Sequence, residues 1–181
     1  MRYAAFFRNL NLGRANSPNR EQFEAAFLEA GASEAKSFLT NGTIAFHASG
    51  IRSAKKILST ASELMGASCG LVEPGFLRDV PYLAALVDNE PFKSIDRDSV
   101  YDCYVTFLHA KAVIPRGFPQ TSPRGDVKIV QLTDSEVLSV SYKPGKTPGN
   151  PNALLEKALA LPATTRAWNT VVRLVGKHAD R

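Results

Sequence analysis

An Asn-Gly pair between two short apolar runs is the feature that most limits how this chain can fold. In KSFLTNGTIAF, residues 36–46, the two runs flank Thr40-Asn41-Gly42-Thr43. Asn-Gly is strongly preferred in tight hairpin turns because both residues tolerate a positive φ. We therefore predict a β-hairpin closed by a type I′ turn at Asn41-Gly42.

The residues around this hairpin predict a complete sheet-and-helix unit. Residues 2–8 alternate as a first strand, and residues 11–20 form a loop in which Ser17-Pro18 marks a helix start. Apolar residues at helical spacing predict two helices, the first ended by Gly31 and the second by Gly66. They are Phe23, Ala26, Phe27 and Ala30, then Ile51, Ala54, Leu58, Ala61 and Met65. With a short strand at 68–73, the order β-α-β-β-α-β is that of a ferredoxin-like split βαβ unit.

The rest of the chain predicts a second half of sheet and helix. Residues 75–92 have a helical pattern interrupted by Pro81 and Pro91. Strands follow at 101–109, 127–133 and 137–143, the last two joined by a turn at Asp134-Ser135, and helices at 152–160 and 164–177. Loops rich in proline and glycine occupy 115–126 and 143–151. We predict an α+β fold of two ferredoxin-like halves packed together, residues 1–95 and 96–181.

Composition limits the class of protein. Hydrophobic residues make up 44% and charged residues 22%, as in ordinary globular domains. No apolar run approaches the roughly 20 residues that span a bilayer, and the apolar segment of MRYAAFFRNL is too short for a signal peptide. We predict a cytoplasmic protein without a membrane partner. Cys69 and Cys103 are predicted to be buried thiols, and no metal or cofactor is expected from the spacing of the histidines and cysteines.

Positive charge is concentrated near the C-terminus. Of the net charge of +5, the last 45 residues hold seven Lys or Arg against Glu156 and Asp180. Such a region attracts nucleic acid, nucleotides and other anions, and it is equally compatible with a solvated face that binds none of them. Gly145-Lys146-Thr147 resembles the end of a phosphate-binding loop, but Val140 stands where that motif needs glycine. We therefore interpret residues 143–151 as a flexible basic loop.

Two segments carry residues suited to holding an anion. The segment from Arg8 to Arg14 follows the first strand and contains two arginines and two asparagines beside Gly13; the alternative is a solvated loop. The segment TTRAWNTV, residues 164–171, is predicted to begin the last helix with Thr164 or Thr165 as its cap. On that helix Arg166, Asn169 and Thr170 share a polar face, continued by Arg173 and Lys177, and Trp168 lies on the apolar face as a core anchor.

Several of these motifs resemble those of a bacterial family, in the same order along the chain. They are RNLNLG, FLTNGTIAF, NEPF, VTFL, NALLEKAL and TTRAWNTV. The chain resembles the DUF1697 family, whose last motif is usually TTRNWNTV. The resemblance implies an α+β fold with two ferredoxin-like halves, and it implies no established reaction.

The chain departs from the usual motifs of that family at several positions. Asn9 and Arg14 replace glycines of the first motif, and Ala167 replaces an asparagine of the last. In the hairpin, Thr40, Asn41 and Thr43 replace Gln, Ser and Asn. The segment Thr147 to Pro151 replaces a family run that contains an arginine and a lysine, so any contact made by that run is altered here.

Three hypotheses for function follow from the sequence. The first is a binding module for an anionic ligand, a nucleic acid or a phosphorylated small molecule. Its predicted contacts are Arg8, Asn11, Arg166, Asn169 and Thr170, provided that the fold brings the two segments together. The second is a structural or protein-interaction role in which the TTRAWNTV segment locks the last helix in place. The third is a small enzyme of unknown reaction, which a cleft near Arg166 with a perturbed carboxylate would favour.

Overall fold

The computed structural model describes residues 1–179, which contain two four-stranded antiparallel sheets and five helices. They form two compact units. The first comprises Met1–Ala84 and the described residues from Leu174 onward, and the second comprises Ala85–Arg173. The predicted division at residue 95 differs from this grouping for residues 85–95 and 174–179, and it stays a prediction.

The first unit contains the elements predicted from the hairpin outward. These are β1 (Arg2–Phe7), α1 (Arg20–Glu29), β2 (Ala35–Phe38), β3 (Thr43–His47), α2 (Ile51–Cys69) and β4 (Gly75–Asp79). Its sheet has the order β2-β3-β1-β4. Phe7 of β1 packs edge-on against Phe23 and Phe27 of α1, with ring centroids 5.5 and 6.2 Å apart. These buried rings form the centre of the core between the sheet and the helices.

The Asn-Gly hairpin is confirmed, but its turn is not of type I′. Four residues, 39–42, connect β2 to β3, with Phe38 opposite Thr43 at the end of the ladder. Leu39 and Gly42 have positive φ values of 61° and 66°, whereas Asn41 does not. The carbonyl of Gly42 accepts a hydrogen bond from the Phe7 amide at 2.8 Å, so the longer turn is held by β1.

Both helices of the first unit begin or end elsewhere than predicted. Helix α1 is capped by Asn19, whose side chain accepts from the Gln22 amide while the Gln22 side chain accepts from the Asn19 amide. Helix α2 continues through Gly66 and ends at Gly70, which takes the left-handed conformation with φ of 74°. The strand predicted at 68–73 is therefore wrong, because helix α2 includes the first two of those residues and β4 begins at Gly75.

The helix predicted at 75–92 is only partly correct. Helix α3 (Val80–Asp88) follows β4 directly and spans the boundary between the two units. The Asp79 carboxylate accepts from the Tyr82 amide at 2.8 Å at the start of this helix. Pro81 lies in the first turn, where a missing amide proton costs little, so this proline accompanies the start of the helix rather than breaking it.

The second unit holds the remaining strands. They are β5 (Asp102–Leu108), β6 (Val127–Leu132), β7 (Glu136–Ser141) and β8 (Ala163–Ala167), in the order β6-β7-β5-β8, with α4 (Pro151–Leu159) before β8. The three predicted strands and the helix near 152–160 are confirmed. One core cluster lies between the sheet and α4, around Leu108, Val137 and Leu155.

The last predicted helix is wrong in its first part. Residues 163–167 form β8, which pairs with β5 so that Thr165 lies opposite Thr106. Helix α5 (Trp168–His178) begins only after them and spans the two units. Thr164 and Thr165 therefore do not cap the helix. Threonine favours a strand, and the edge of β5 that is not paired with β7 gives this segment its partner.

Candidate functional site

The predicted contacts of the first unit lie just after β1, and Arg8 already has an acidic partner there. Its guanidinium donates from Nη1 to both carboxylate oxygens of Glu73, at 2.8 and 3.0 Å. The side-chain amide of Asn9 donates to the same carboxylate at 3.3 Å. Asn11 is exposed, and its carbonyl accepts from the Arg14 amide. An anion at this loop would compete with Glu73 for Arg8.

The three predicted contacts of the second unit differ in their exposure. Arg166 of β8 is only 8% exposed, whereas Asn169 of α5 is exposed and Thr170 is buried. The Arg166 guanidinium donates to the Thr164 hydroxyl at 2.8 Å and to the Thr165 carbonyl at 3.0 Å. Burial lowers the pKa of Arg166 to about 10, because the charged form loses its hydration. The polar face predicted on one helix is thus divided between a strand and a helix.

The two groups of predicted contacts belong to different units, Arg8 and Asn11 to the first and Arg166, Asn169 and Thr170 to the second. A joint site formed by both groups stays a prediction. Trp168 is confirmed as a core anchor. It is 8% exposed, and its indole packs edge-on against Phe92 with ring centroids 5.3 Å apart.

A cavity of about 810 Å³ in the second unit was not foreseen from the sequence. Three segments line it: the loop before β6, the segment 147–150, and helix α4. Its apolar walls include Phe118, Pro119, Pro123 and Leu154. We call it the Arg124 cavity. The sequence carried one signal for it, since both loops are rich in proline and glycine, but no periodicity indicates that the two meet.

The loop before β6 is ordered by a buried serine and a buried aspartate. The Ser122 hydroxyl donates to the Asp126 carboxylate at 2.7 Å and accepts from the amides of Asp126 and Val127. The Asp126 carbonyl accepts from the Tyr142 amide, and the Tyr142 carbonyl accepts from the Gly149 amide. These bonds join the loop before β6 to the segment that carries Gly149, so two walls of the cavity are held relative to each other.

Two cationic side chains line the Arg124 cavity. Arg124 is 69% exposed and lies 3.4 Å from the Asp126 carboxylate, and Lys157 is exposed on α4. Asp126 is buried and also lines the cavity, but at 3.4 Å and with Arg124 largely in water the ion pair is weak, because water screens the guanidinium charge. The Arg124 guanidinium can therefore turn toward an acidic ligand at little cost. Apolar walls with cations at the edge suit an organic anion better than an inorganic one.

One family matches a large part of this chain. The family described as "Protein of unknown function (DUF1697)" matches residues 1–136. The chain belongs to the DUF1697 family. The resemblance seen in the sequence motifs is therefore confirmed for this range. Helix α4 and the TTRAWNTV segment of this DUF1697 protein lie beyond it.

A solved structure shares the fold of this DUF1697 protein. It is that of a conserved bacterial protein from Streptococcus pneumoniae, which is 14% identical, with a TM-score of 0.63 over 97% of both chains. At this identity the likeness shows the fold alone. No curated protein matches the chain.

Among residues 1–179 of this DUF1697 chain, no three His, Cys, Asp or Glu side chains are grouped so that they could hold a metal ion. No helix within the same range is both long enough and apolar enough to cross a membrane.

Proposed function

We propose that this DUF1697 protein is a binding module for an anionic ligand, a nucleic acid or a phosphorylated small molecule, and that the Arg124 cavity receives it. The observation that carries the proposal is the combination of apolar walls with Arg124 and Lys157 in one cavity of about 810 Å³. A cavity of this size suits a small organic molecule. Arg124 supplies a planar set of donors that matches a phosphate or carboxylate, and Lys157 supplies a second charge.

The charge of the surrounding chain supports the same proposal. The last 45 residues hold seven Lys or Arg against two acidic residues, and Lys157 is one of the seven. Lys143 and Lys146 are exposed in the loop that leads to segment 147–150. Clustered positive charge raises the local concentration of anions and speeds their association, and the effect falls with added salt.

The five contacts predicted from the sequence remain a separate hypothesis within this proposal. The Glu73 ion pair of Arg8 and the burial of Arg166 both count against a direct contact with ligand. Asn169 is exposed, so neither objection applies to it.

We also retain the ferredoxin-like interpretation as a proposal. In the first unit the element order β-α-β-β-α-β and the strand order β2-β3-β1-β4 support it.

Trp168 allows a direct test, because its emission reports the folded state of the second unit. Thermal unfolding is followed with inorganic phosphate, ribose 5-phosphate, AMP, and single- and double-stranded oligonucleotides. A ligand that binds only the folded protein stabilises it by about 2.7 kcal/mol at a hundredfold excess over its Kd. We expect a stabilisation that is lost in the double variant Arg124→Gln, Lys157→Gln. It is kept in the control Arg116→Gln, Lys55→Gln, which removes the same charge from exposed positions outside the cavity.

Two outcomes would overturn the proposal. One is that no probe stabilises the protein. The other is that the control variant loses as much stabilisation as the cavity variant, since the effect would then be one of overall charge. A requirement for oligonucleotide length, with a steep salt dependence, would select nucleic acid over the small molecule.

A structural role for the TTRAWNTV segment is the second candidate, favoured by the burial of Arg166 and its hydrogen bonds to Thr164 and Thr165. On this view Arg166 stabilises β8 and contacts no ligand. Arg166→Ala should then lower the free energy of unfolding by about 3 kcal/mol and leave the affinity for every probe unchanged. A loss of affinity in a variant that remains folded would instead place Arg166 at the ligand.

A further inference from the structure

A second cavity, of about 450 Å³, adjoins the Arg124 cavity in the second unit. Tyr104 of β5 and Thr165 of β8 line it from the sheet, and the segment Pro148 to Pro151 lines it from the other side. The two cavities share Pro148 and Asn150, so they lie side by side at this segment. We call the second one the Tyr104 cavity. None of the residues that line it carries a charge.

Hydroxyl groups are concentrated on the sheet face below the Tyr104 cavity. Residues directly opposite each other in an antiparallel ladder project to the same face. Tyr104 lies opposite Ser139, and Thr106 lies opposite Thr165. Ser139 therefore shares the face of Tyr104, which lines the cavity. Ser141 follows two positions along β7 and shares it too.

One of these hydroxyls is buried without a hydrogen bond. Ser139 is 0% exposed, and its side-chain oxygen has no partner within hydrogen-bonding geometry among the described residues, whereas the equally buried Ser141 hydroxyl lies beside the Tyr104 phenol. Buried hydroxyls are nearly always satisfied in folded proteins, because the lost hydration destabilises the fold. Ser139 lies on the sheet face that borders the Tyr104 cavity, and an unsatisfied hydroxyl there fits a surface that a polar ligand completes.

The hydrogen bonds of the neighbouring threonine hydroxyls run in one direction, from Thr106 through Thr165 to Asn152. The Thr165 hydroxyl donates to the Asn152 side-chain oxygen at 3.1 Å and lies 2.8 Å from the Thr106 hydroxyl. Because the Thr165 proton is committed to Asn152, Thr106 is the donor of that second bond, and Thr165 keeps a lone pair to accept from a ligand. Burial raises the pKa of Tyr104, an effect that a hydrogen bond with the Ser141 hydroxyl opposes, so the phenol stays neutral and can donate at neutral pH.

We infer that the Tyr104 cavity binds the hydroxyl-bearing sugar of a phosphorylated small molecule, a sugar phosphate or a nucleotide, whose acidic group lies in the Arg124 cavity. The inference rests on the proposed function and selects one of its two ligand classes. Uncharged donors and acceptors suit a sugar, the adjoining cations suit the phosphate, and the shared Pro148 and Asn150 place the two within reach of one small molecule.

The test compares probes that differ by one group. Binding of inorganic phosphate, ribose, ribose 5-phosphate and AMP is measured by titration calorimetry. We expect ribose 5-phosphate to bind more tightly than phosphate or ribose. Tyr104→Phe and Thr165→Val should each weaken its binding about tenfold and leave phosphate binding unchanged, because each removes a hydroxyl of the cavity lining that would bond to the sugar. AMP binding well above ribose 5-phosphate would identify a nucleotide, and equal binding would identify a sugar phosphate.

Controls separate this inference from the proposed function. Thr43→Val is the matched control, because it removes a buried strand hydroxyl in the first unit and should not alter binding. Tyr104→Phe removes only the phenol hydroxyl and keeps the ring, so it should fold even if Thr165→Val does not. If ribose 5-phosphate binds no better than phosphate, while both need Arg124 and Lys157, the inference is wrong and the proposed function stands. If no probe binds, both fail.

Discussion

The carbonyl oxygen of Asp126 lies where the side chain of residue 149 would begin. A Cβ built on Gly149 would overlap the Asp126 carbonyl, and nothing but glycine fits without a backbone shift. The close approach is held by Tyr142, which bonds to both residues through its backbone. Gly149 therefore lets segment 147–150 lie against the loop before β6, and both cavities of the second unit depend on that approach.

Replacement of Gly149 should disturb this packing. Gly149→Ala is expected to lower the free energy of unfolding by about 3 kcal/mol, since the new methyl group meets backbone rather than a flexible side chain. It should also weaken ligand binding in both cavities. Gly145→Ala is the control in the same loop, because a Cβ there meets nothing within 4 Å, and its effect should be within about 0.5 kcal/mol. Urea unfolding followed by Trp168 emission measures both, and equal effects would contradict the prediction.

The hairpin turn offers a second test with its own control. A Cβ on Gly42 would lie 2.7 Å from the Leu10 Cβ, and the residue has a φ of 66°. Gly13 has a similar φ of 77° but nothing within 4 Å of a Cβ. Gly13→Ala should cost about 1 kcal/mol for the backbone conformation alone. Gly42→Ala should cost about 3 kcal/mol, because the contact with buried Leu10 is added. Chemical unfolding followed by circular dichroism compares the two, and a smaller cost at Gly42 would refute the role of Leu10.

His178 should make the first unit sensitive to mild acid. Burial lowers its pKa, and the positive charges of Arg2 and Lys177 lower it further against the opposing charge of Glu34. The unfolded chain then binds the proton more tightly than the folded one. Stability is kept above about pH 6.5 and falls as the pH drops toward the folded pKa, by at most about 1.4 kcal/mol per pH unit.

Urea midpoints between pH 7.5 and 5 measure this effect. His178→Gln should flatten the profile over this range. A profile that keeps its slope in His178→Gln would assign the acid sensitivity to another group.

Glu24 titrates in a separate pH range. Burial alone would raise its pKa, but hydrogen bonds from Ser37 and Lys36 lower it below 4.5, so its contribution is lost only at lower pH.

The two cysteines should react at very different rates. Cys103 is fully buried, and burial raises the pKa of its thiol, although the Arg97 guanidinium 2.7 Å away opposes the shift. Cys69 is half-buried at the end of α2. A thiol reagent at neutral pH should modify Cys69 first, and Cys103 only when the second unit opens. Reaction of Cys69→Ala at the rate of an unfolded thiol would show that Cys103 is accessible. Added urea should speed the reaction of Cys103 in proportion to the population of the open state.

The parts of the fold that the sequence predicted are those with local causes. Three elements follow from the spacing of apolar residues and from turn residues within a short stretch of chain. They are helix α1, the hairpin around Asn41 and strand β5. Trp168 was placed correctly in the core because helix α5 keeps an apolar face. The end of α2 was missed at Gly66, since glycine ends a helix only where the chain needs a left-handed residue, and that need arises at Gly70.

The candidate site depended on pairing between distant residues. Arg166 was assigned to a helix because its neighbours are compatible with one, and only the ladder with β5 makes residues 163–167 a strand. The same pairing buries Arg166 and brings Thr165 beside Thr106. Neither cavity could be predicted from the sequence, because each is lined by separate segments of the chain, 118–127 with 147–158 in one and Tyr104 with 148–151 and Thr165 in the other.

The sequence by itself determined the class of protein, most elements, the DUF1697 resemblance and the positive charge of the C-terminal region. These depend on composition and on interactions within one or two turns of chain. The tertiary structure alone decided which polar groups are exposed, which are buried, and which lie beside a cavity. Loops without periodicity, such as 115–126 and 143–151, carry no local signal for their neighbours, so their contacts follow only from the packing of the strands and helix that they connect.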